Sequence, residues 1–247
     1  TGTAHLGSAL SCIDILVSIY FSKNGLNKKV NDKKNVKDTF ILSKGHAAPA
    51  FYAILEKKKY ITKKTLNTYS LPGSYLEEHP NIKVNGVLVS SGSLGHGLSY
   101  AAGLSLADKI HNKNYKHMIL MSDGECNEGS VWESFLSAPH LKLNNLIAII
   151  DKNNLQQTGS NKDILNLGNL TNKLDSFGWQ TYEVNGHDID ELLKIFKQKN
   201  DSQKPTMVIA NTVKGKGLSF TENNNQWHHS ILAKKNYDLA LAELDQE

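Results

Sequence analysis

The sequence predicts an α/β protein: a single doubly wound domain over residues 1–247, whose mainly parallel sheet is flanked by helices. Short apolar runs of strand length alternate with longer segments whose apolar residues recur at helical spacing. The clearest stretch has an apolar run, His117–Met121, then a turn, a helical pattern over Glu128–Leu143 and a second apolar run, Leu146–Ile150. Strand, helix and strand in this order form a βαβ unit, which is almost always right-handed and parallel.

The same two periodicities predict the other elements. Apolar residues at helical spacing after Ser8 indicate a helix with that serine as its N-cap, and the Lys- and Asn-rich residues 25–38 indicate a solvated loop. Further strands are predicted at Thr39–Leu42, Gly86–Ser90, Trp179–Val184 and Thr206–Asn211. Further helices are predicted over residues 47–59, 98–110, Asp188–Lys199 and 235–247, with loops over 70–86 and 222–226.

Composition narrows the class of protein. Hydrophobic residues make up 39% and charged residues 21%, with no apolar run long enough to span a bilayer, so a globular protein without a membrane partner is expected. The net charge of +4 is too small to indicate nucleic-acid binding. All 28 cationic residues are lysine, so the chain offers no arginine clamp for phosphate. Two cysteines make no disulfide framework, and a cytoplasmic location is the default expectation.

Polar and glycine residues follow the predicted strands, where open parallel sheets bind their ligands. Asp123 and Asn153 follow two neighbouring strands, and their hard oxygen atoms suit Mg²⁺ or Ca²⁺. Glycines beside them would let backbone N–H groups approach a phosphate. Each motif alone also fits an ordinary turn, but their combination at βαβ spacing favours a metal–diphosphate site. No Walker A or dinucleotide-binding motif is present.

These residues also carry a family resemblance. Asp123-Gly124-Glu125, with Asn153 thirty positions after Asp123, resembles the thiamine-diphosphate motif. More specifically, the chain resembles the N-terminal, diphosphate-binding half of transketolase over residues 4–228. The segments that carry this resemblance, in family order, are AHLGSALSCIDIL, SKGHAAPAFYAIL, EEHP, SGSLGHGLSYAAGLSLA, SDGECNEGSVWE, IDKNNLQQTG and NTVKGKGLSF…NNNQWH.

The resemblance implies a set of site residues. Mg²⁺, for which Ca²⁺ or Mn²⁺ could substitute, would be held by Asp123, Asn153 and the Leu155 carbonyl. The residues implied to contact thiamine diphosphate are these metal ligands together with His46, Gly92, Ser93, Leu94, Gly124, Glu125 and Glu128, the last at a subunit interface. The histidines implied to act on the sugar are His5, His79 and His228, since cleaving a ketose requires proton transfers that imidazole performs near neutral pH.

Two residues depart from the family pattern. Ser122 stands where the motif usually has glycine. His96 replaces a glutamine, which makes it a fifth candidate site histidine, with packing or capping of the following helix as its alternative role. The remaining histidines, at positions 111, 117, 140, 187 and 229, are expected to be surface or packing residues, and Cys126 a bystander.

The implied function is the N-terminal subunit of a transketolase-like enzyme that transfers a two-carbon ketol unit between sugars or sugar phosphates. The pyrimidine-binding domain, which supplies the glutamate that activates the cofactor, is then expected on a separate C-terminal-half chain, most simply as an α2β2 heterotetramer. Two alternatives remain open at this point: a 2-oxoacid dehydrogenase E1-type subunit, and a non-catalytic cofactor-binding subunit.

Overall fold

The structure is a computed structural model that describes residues 3–23, 26, 37–198 and 202–245. Its strands are β1 (Thr3–Ala4), β2 (Thr39–Leu42), β3 (His117–Ser122), β4 (Leu146–Lys152), β5 (Gln180–Asn185), β6 (Thr206–Asn211) and β7 (Ser230–Ile231). Its α-helices are α1 (Leu6–Leu10), α2 (Ile13–Phe21), α3 (Ala48–Lys57), α4 (Lys63–Leu66), α5 (Gly97–Ile110), α6 (Gly129–His140), α7 (Asn161–Ile164), α8 (Leu170–Phe177), α9 (Ile189–Lys197) and α10 (Lys234–Leu244). The predicted loop over 25–38 lies mostly outside the described residues.

Five strands form one parallel sheet in the order β2–β3–β4–β6–β5, which confirms the predicted doubly wound fold. The register places five residues in one row across the sheet: Leu42, Leu120, Ile149, Val208 and Tyr182. Because all five strands point the same way, their carboxyl ends meet at one edge just beyond this row. That edge carries the predicted site residues of β2, β3 and β4.

The sheet separates two hydrophobic layers, since successive side chains of a strand point to opposite faces. Phe40 and Met118 belong to one buried cluster, with α1, α2, α3 and α9. Ile41 and Ile119, their neighbours in sequence, belong to the other, with α5, α6 and α8. Burial on both faces explains why these strands are continuous apolar runs rather than alternating ones.

Two predicted elements are wrong. Residues Gly86–Ser90 form no strand: Val87 N–H donates to the Val84 carbonyl at 3.2 Å, so this backbone bonds within its own loop although Val87 is buried. The single helix expected after Ser8 is two helices, and Ser8 lies inside α1 rather than at an N-cap. The break falls at Ser11 and Cys12, where the Ser11 hydroxyl donates to the buried Asp151 carboxylate at 2.6 Å.

A two-stranded antiparallel ribbon was not predicted. β1 pairs with β7 through Thr3 opposite Ile231 and Ala4 opposite Ser230. It brings the segment that contains His5 against the segment that contains His228. In the described part of the chain, no helix is both long and apolar enough to cross a membrane.

Candidate active site

A cavity of about 350 Å³ opens at the carboxyl edge of the sheet. The segments that line it come from the start of α1, the ends of β2, β3 and β4, the loops around His79 and Gly92, and the residue that follows a short 3-10 helix, Asn225–Trp227. The lining residues are His5, Ser8, Lys44, His46, His79, Gly92, Leu94, Ser122, Gly124, Asn127, Glu128, Asn153, Leu155, Gln156, Gln157 and His228. Most of the residues that the sequence singled out therefore meet in one place.

Four histidines ring the cavity. The ring centroid of His5 lies 5.4 Å from that of His46, 6.0 Å from that of His79 and 5.5 Å from that of His228. The rings of His46 and His228 are stacked at 5.4 Å. Tyr52 fixes the segment that contains His79, because its hydroxyl donates to the His79 carbonyl at 3.1 Å. The structure thus brings together all four histidines predicted for the cofactor and the sugar.

The environment keeps three of these imidazoles neutral. Burial, reinforced by His229, lowers the pKa of His5 to about 4. Burial, reinforced by the Lys214 ammonium, lowers the pKa of His228 to about 3. Burial and Lys44 also lower the pKa of His46. At neutral pH each of these rings therefore has one unprotonated nitrogen, which can accept a hydrogen bond, and one nitrogen that carries a proton.

Lys214 decides which nitrogen of His228 carries the proton. Its Nζ atom donates to His228 Nδ1 at 2.9 Å, so Nδ1 is the acceptor and Nε2 bears the hydrogen. The same ammonium lies 3.3 Å from the Leu155 carbonyl oxygen and 3.0 Å from that of Gln156. Burial lowers the pKa of Lys214 to about 8. Lys214 was not among the predicted site residues, because Lys214-Gly215-Lys216-Gly217 lacks the full pattern of a phosphate loop; the NTVKGKG family segment was the available signal.

Asp123 lies at the end of β3 and is 1% exposed. Its Oδ1 accepts from Gly124 N–H at 2.8 Å and its Oδ2 accepts from Asn154 N–H at 2.6 Å, which joins the β3 end to the β4 end. Burial, and then the neighbouring Asp151 carboxylate, raise the pKa of Asp123 to about 6. No lysine or histidine among the described residues forms an ion pair with it. A buried carboxylate without a direct ion-pair partner suits a divalent cation.

The other two predicted metal ligands lie on the adjoining turn. Asn153 Oδ1 accepts from Leu155 N–H at 3.1 Å, and both residues line the cavity. The Leu155 carbonyl, the third predicted ligand, already faces a cation in the form of the Lys214 ammonium. Asp123 itself is not part of this lining: it lines a second cavity, together with Asn154 and Asn161. The donor set of carboxylate, amide and carbonyl oxygens fits Mg²⁺.

A buried ion pair supports this edge from beneath. Lys44 and Asp151 are fully buried and paired, and Ser11 and Thr212 hydroxyls also donate to the Asp151 carboxylate. Burial opposes both charges, but their mutual attraction holds the pKa of Asp151 below and that of Lys44 above the ordinary value. Lys44 Nζ also donates to the Ser8 carbonyl at 3.0 Å, which fixes α1 to the end of β2.

The glycine-rich loop, residues 92–96, requires glycine at two positions. Gly92 has φ of +147°, and a Cβ there would lie 3.2 Å from the His79 ring. Gly95 has φ of +86°, and its Cβ would lie 2.7 Å from Glu128 Cβ. Gly92 and Leu94 line the cavity, whereas Ser93 is exposed and does not.

The two predicted glutamates lie in different environments. Glu128 is exposed, is the N-cap of α6 and lines the cavity. Glu125 is buried and outside the cavity lining: its carboxylate accepts from the Ser43 hydroxyl, from Gly95 N–H at 2.9 Å and from Ser122 N–H at 3.3 Å. Glu125 therefore joins the β2 end, the glycine loop and the β3 end, although burial raises its pKa above the ordinary value.

Three histidines and one cysteine outside the predicted site residues have different surroundings. His117 bonds Thr39 and Asp108, and His187 bonds Asp14, so both pack structurally as expected. Cys126 is a buried free thiol whose pKa burial raises well above its ordinary value. His229, which was expected to be a surface or packing residue, is exposed and packs against His5, with ring centroids 4.5 Å apart.

The lining of the cavity fits a polar ligand. Three of its buried polar atoms have no hydrogen-bond partner: His5 Nδ1, Asn127 Oδ1 and Gln156 Nε2. At Gly124 the backbone faces Gln156 so closely that a Cβ would lie 3.1 Å from Gln156 Cγ. Unpaired polar atoms, a close backbone approach and the oxygen donors together suit a metal-bound diphosphate.

Comparisons with known proteins add a family match. Residues 1–244 match the family model described as transketolase, thiamine diphosphate binding domain. The chain is 42% identical over 245 residues to an apulose-4-phosphate transketolase subunit of Actinobacillus succinogenes, covering 98% of this chain and 88% of that one. It is 35% identical over 248 residues to a 6-deoxy-6-sulfo-D-fructose transketolase subunit of Clostridium sp., covering 100% of this chain and 90% of that one.

The fold is also found in solved structures. Transketolase from Campylobacter jejuni superposes with a TM-score of 0.87 at 26% identity, over 99% of this chain and 39% of that one. The chain thus spans about two fifths of the length of that transketolase, but nearly the full length of the two subunits.

Proposed function

The chain belongs to the transketolase family, as a thiamine-diphosphate-binding domain, and we propose that it is the N-terminal subunit of a split transketolase-like enzyme that transfers a two-carbon ketol unit between sugars. The observation that carries the proposal is the ring of four histidines, with His5, His46 and His228 neutral, beside the Asp123–Asn153 edge. That arrangement combines proton-transfer groups with oxygen ligands for a metal diphosphate. A 2-oxoacid dehydrogenase subunit or a non-catalytic subunit is not favoured by the family match.

The proposed partner is a C-terminal transketolase half on a separate chain. Relatives of matching length are named as subunits of transketolases, whereas a solved transketolase is about two and a half times as long. We assign residues 1–247 to one diphosphate-binding domain, and the pyrimidine-binding domain to the partner, in an α2β2 heterotetramer. Glu128, exposed at the cavity, would then face the partner.

The cofactor site is proposed at the carboxyl edge. Thiamine diphosphate, when bound, supplies a site that accepts the electron pair released when the ketose bond breaks. Asp123, Asn153 and the Leu155 carbonyl would hold Mg²⁺, and the Gly124 backbone would face the diphosphate. Lys214 is added to this set, because its ammonium lies at the same carbonyl and can turn toward phosphate oxygens.

The histidines would hold and move protons at stated atoms. His228 is held with its proton on Nε2, so it can donate to a sugar oxygen and take the proton back. His5 has an unpartnered Nδ1 that can accept a proton from a sugar hydroxyl. His46 and His79 complete the ring and limit the room for water.

The substrate would be a sugar or sugar phosphate. The two relatives are named for apulose-4-phosphate and for 6-deoxy-6-sulfo-D-fructose, both of which carry an anionic group. This chain has no arginine, so the partner would supply the clamp for such a group. A cytoplasmic location is proposed with it, in keeping with the buried free thiols of Cys12 and Cys126.

The test uses the chain with and without its partner. Calorimetry should show thiamine-diphosphate binding that requires Mg²⁺ and that strengthens when the partner is added, and ketol transfer should appear only with both chains. Full turnover by this chain alone would contradict the split-enzyme assignment. Cofactor binding of equal strength without Mg²⁺ would contradict the metal site.

A further inference from the structure

A second group of potential metal ligands lies beside the cavity, apart from the Asp123 edge, and shares His5 with the cavity lining. Ligand atoms of His5, Glu78 and His229 all lie within 4.8 Å of one another. His229 Nε2 is 3.4 Å from Glu78 Oε2, and the rings of His5 and His229 are 4.5 Å apart. Neither Glu78 nor His229 belongs to the proposed cofactor or sugar site.

We propose that His5, Glu78 and His229 form a binding site for a borderline divalent transition-metal ion of the Zn²⁺ class. Bonds of about 2.0–2.2 Å to Zn²⁺ place the ligand atoms of a tetrahedral site about 3.4 Å apart. The Glu78–His229 pair already has that separation. Two imidazoles and one carboxylate favour Zn²⁺ over Mg²⁺, which prefers oxygen ligands.

The side-chain movement that would bring all three ligand atoms to bonding distance of one ion is small, and the side chains have room to make it. The side chains of His229 and Glu78 are 42% and 31% exposed, so they can move toward His5 without disturbing a packed core. His5 is better fixed, because it precedes α1 and lies next to the β1–β7 ribbon. Its Nδ1 is buried and has no hydrogen-bond partner, so no existing bond to that atom would have to break.

Three protein ligands leave one position of a tetrahedral ion open. A bound ion would occupy a lone pair of the His5 imidazole, which the proposed function assigns to the sugar. Zn²⁺ would then inhibit the enzyme in competition with the sugar; this consequence, unlike the site itself, rests on the proposed function of His5.

The site is tested by titrating Zn²⁺ alone into the metal-free chain in a calorimeter, with Co²⁺ alone as a spectroscopic probe of tetrahedral geometry. One ion per chain is expected, with no displacement by excess Mg²⁺. His229→Ala and Glu78→Gln should each weaken Zn²⁺ binding by at least about 100-fold, beyond the 10–100-fold typical of changes around a ligand set. The matched control His111→Ala, an exposed histidine elsewhere, should bind Zn²⁺ like the unaltered chain.

Other outcomes overturn the site. The site is refuted if the chain binds no Zn²⁺, if His229→Ala binds Zn²⁺ like the unaltered chain, or if the His111→Ala control loses as much Zn²⁺ affinity as the ligand variants. It is also refuted if only His5→Ala loses Zn²⁺ affinity, because the ion would then be held by the other histidines of the ring. Asp123→Ala should leave the Zn²⁺ affinity unchanged while it removes Mg²⁺-dependent cofactor binding. Failure of this site and failure of the proposed function are thus distinguishable.

Discussion

Replacing Lys214 with methionine removes a charge but keeps most of the side-chain volume. The ammonium donates to the Leu155 and Gln156 carbonyls and to His228 Nδ1, all within 3.3 Å. Without it, Nδ1 of His228 loses its donor, and the proton is no longer directed to Nε2. The pKa of His228 should rise from about 3, because the ammonium is the second cause of its depression after burial.

The size of the effect follows from the bond that is lost. A hydrogen bond to a charged group contributes about 1.5–3 kcal/mol, which corresponds to about 10- to 150-fold in rate when the bond orients a proton-transfer group. We therefore expect Lys214→Met to lower turnover of the assembled enzyme within that range. Cofactor affinity should also fall if the ammonium turns toward the diphosphate.

Nitrogen-15 NMR of the histidine rings separates orientation from general damage. In the unaltered chain His228 should show a protonated Nε2 at neutral pH, and in Lys214→Met a mixture of tautomers. Lys216→Met is the matched control, since Lys216 lies two residues away with its side chain 49% exposed. An unchanged His228 tautomer together with unchanged turnover in Lys214→Met would refute the orienting role.

Three further predictions concern other residues. Asp123→Ala should abolish Mg²⁺-dependent binding of thiamine diphosphate in calorimetry while the chain remains folded by circular dichroism; unchanged affinity would remove it from the metal site. His228→Ala should slow turnover by about 10²–10⁴-fold, as expected for loss of a general acid–base group, with much less effect on cofactor affinity; turnover at the unaltered rate would contradict the role. Burial, opposed by Asp108, lowers the pKa of His117 below the ordinary value of 6.5. The unfolded chain therefore binds more protons at this residue than the folded chain does. As a result, the free energy of unfolding falls as the pH drops through 6.5. In urea titrations His117→Gln should lose less stability than the unaltered chain over that window, and equal losses would show that the histidine does not cause the fall.

The parallel sheet was predictable because its strands are buried on both faces. Runs such as Thr39–Leu42 and Leu146–Ile150 are continuously apolar, and the βαβ order leaves few topologies. Gly86–Ser90 has the same apolar character but turns back on its own loop, so local composition alone could not separate it from a strand. Each strand of the β1–β7 ribbon has only two residues, which is too few to show the alternating pattern of a strand.

The site residues that could be predicted are those that have suitable ligand chemistry and directly follow a strand. Asp123 and Asn153 follow adjacent strands, so strand order alone brings them to one edge. Lys214 and His229 depend on how distant segments cross, and a lysine or a histidine in a polar loop usually lies in solvent. Only the folded chain shows that the Lys214 ammonium reaches two carbonyls and an imidazole, and that His229 meets His5.

The β1–β7 ribbon also affects the order in which the protein folds. It joins segments from nearly opposite ends of the sequence, and contacts of such long separation form late because the intervening chain must first be ordered. The sheet edge with Asp123 and Asn153 can assemble before His5 and His228 come together. A ribbon of two residue pairs can also open without unfolding the sheet. The half of the site at the Asp123–Asn153 edge and the half formed by the histidines can therefore be gained or lost separately.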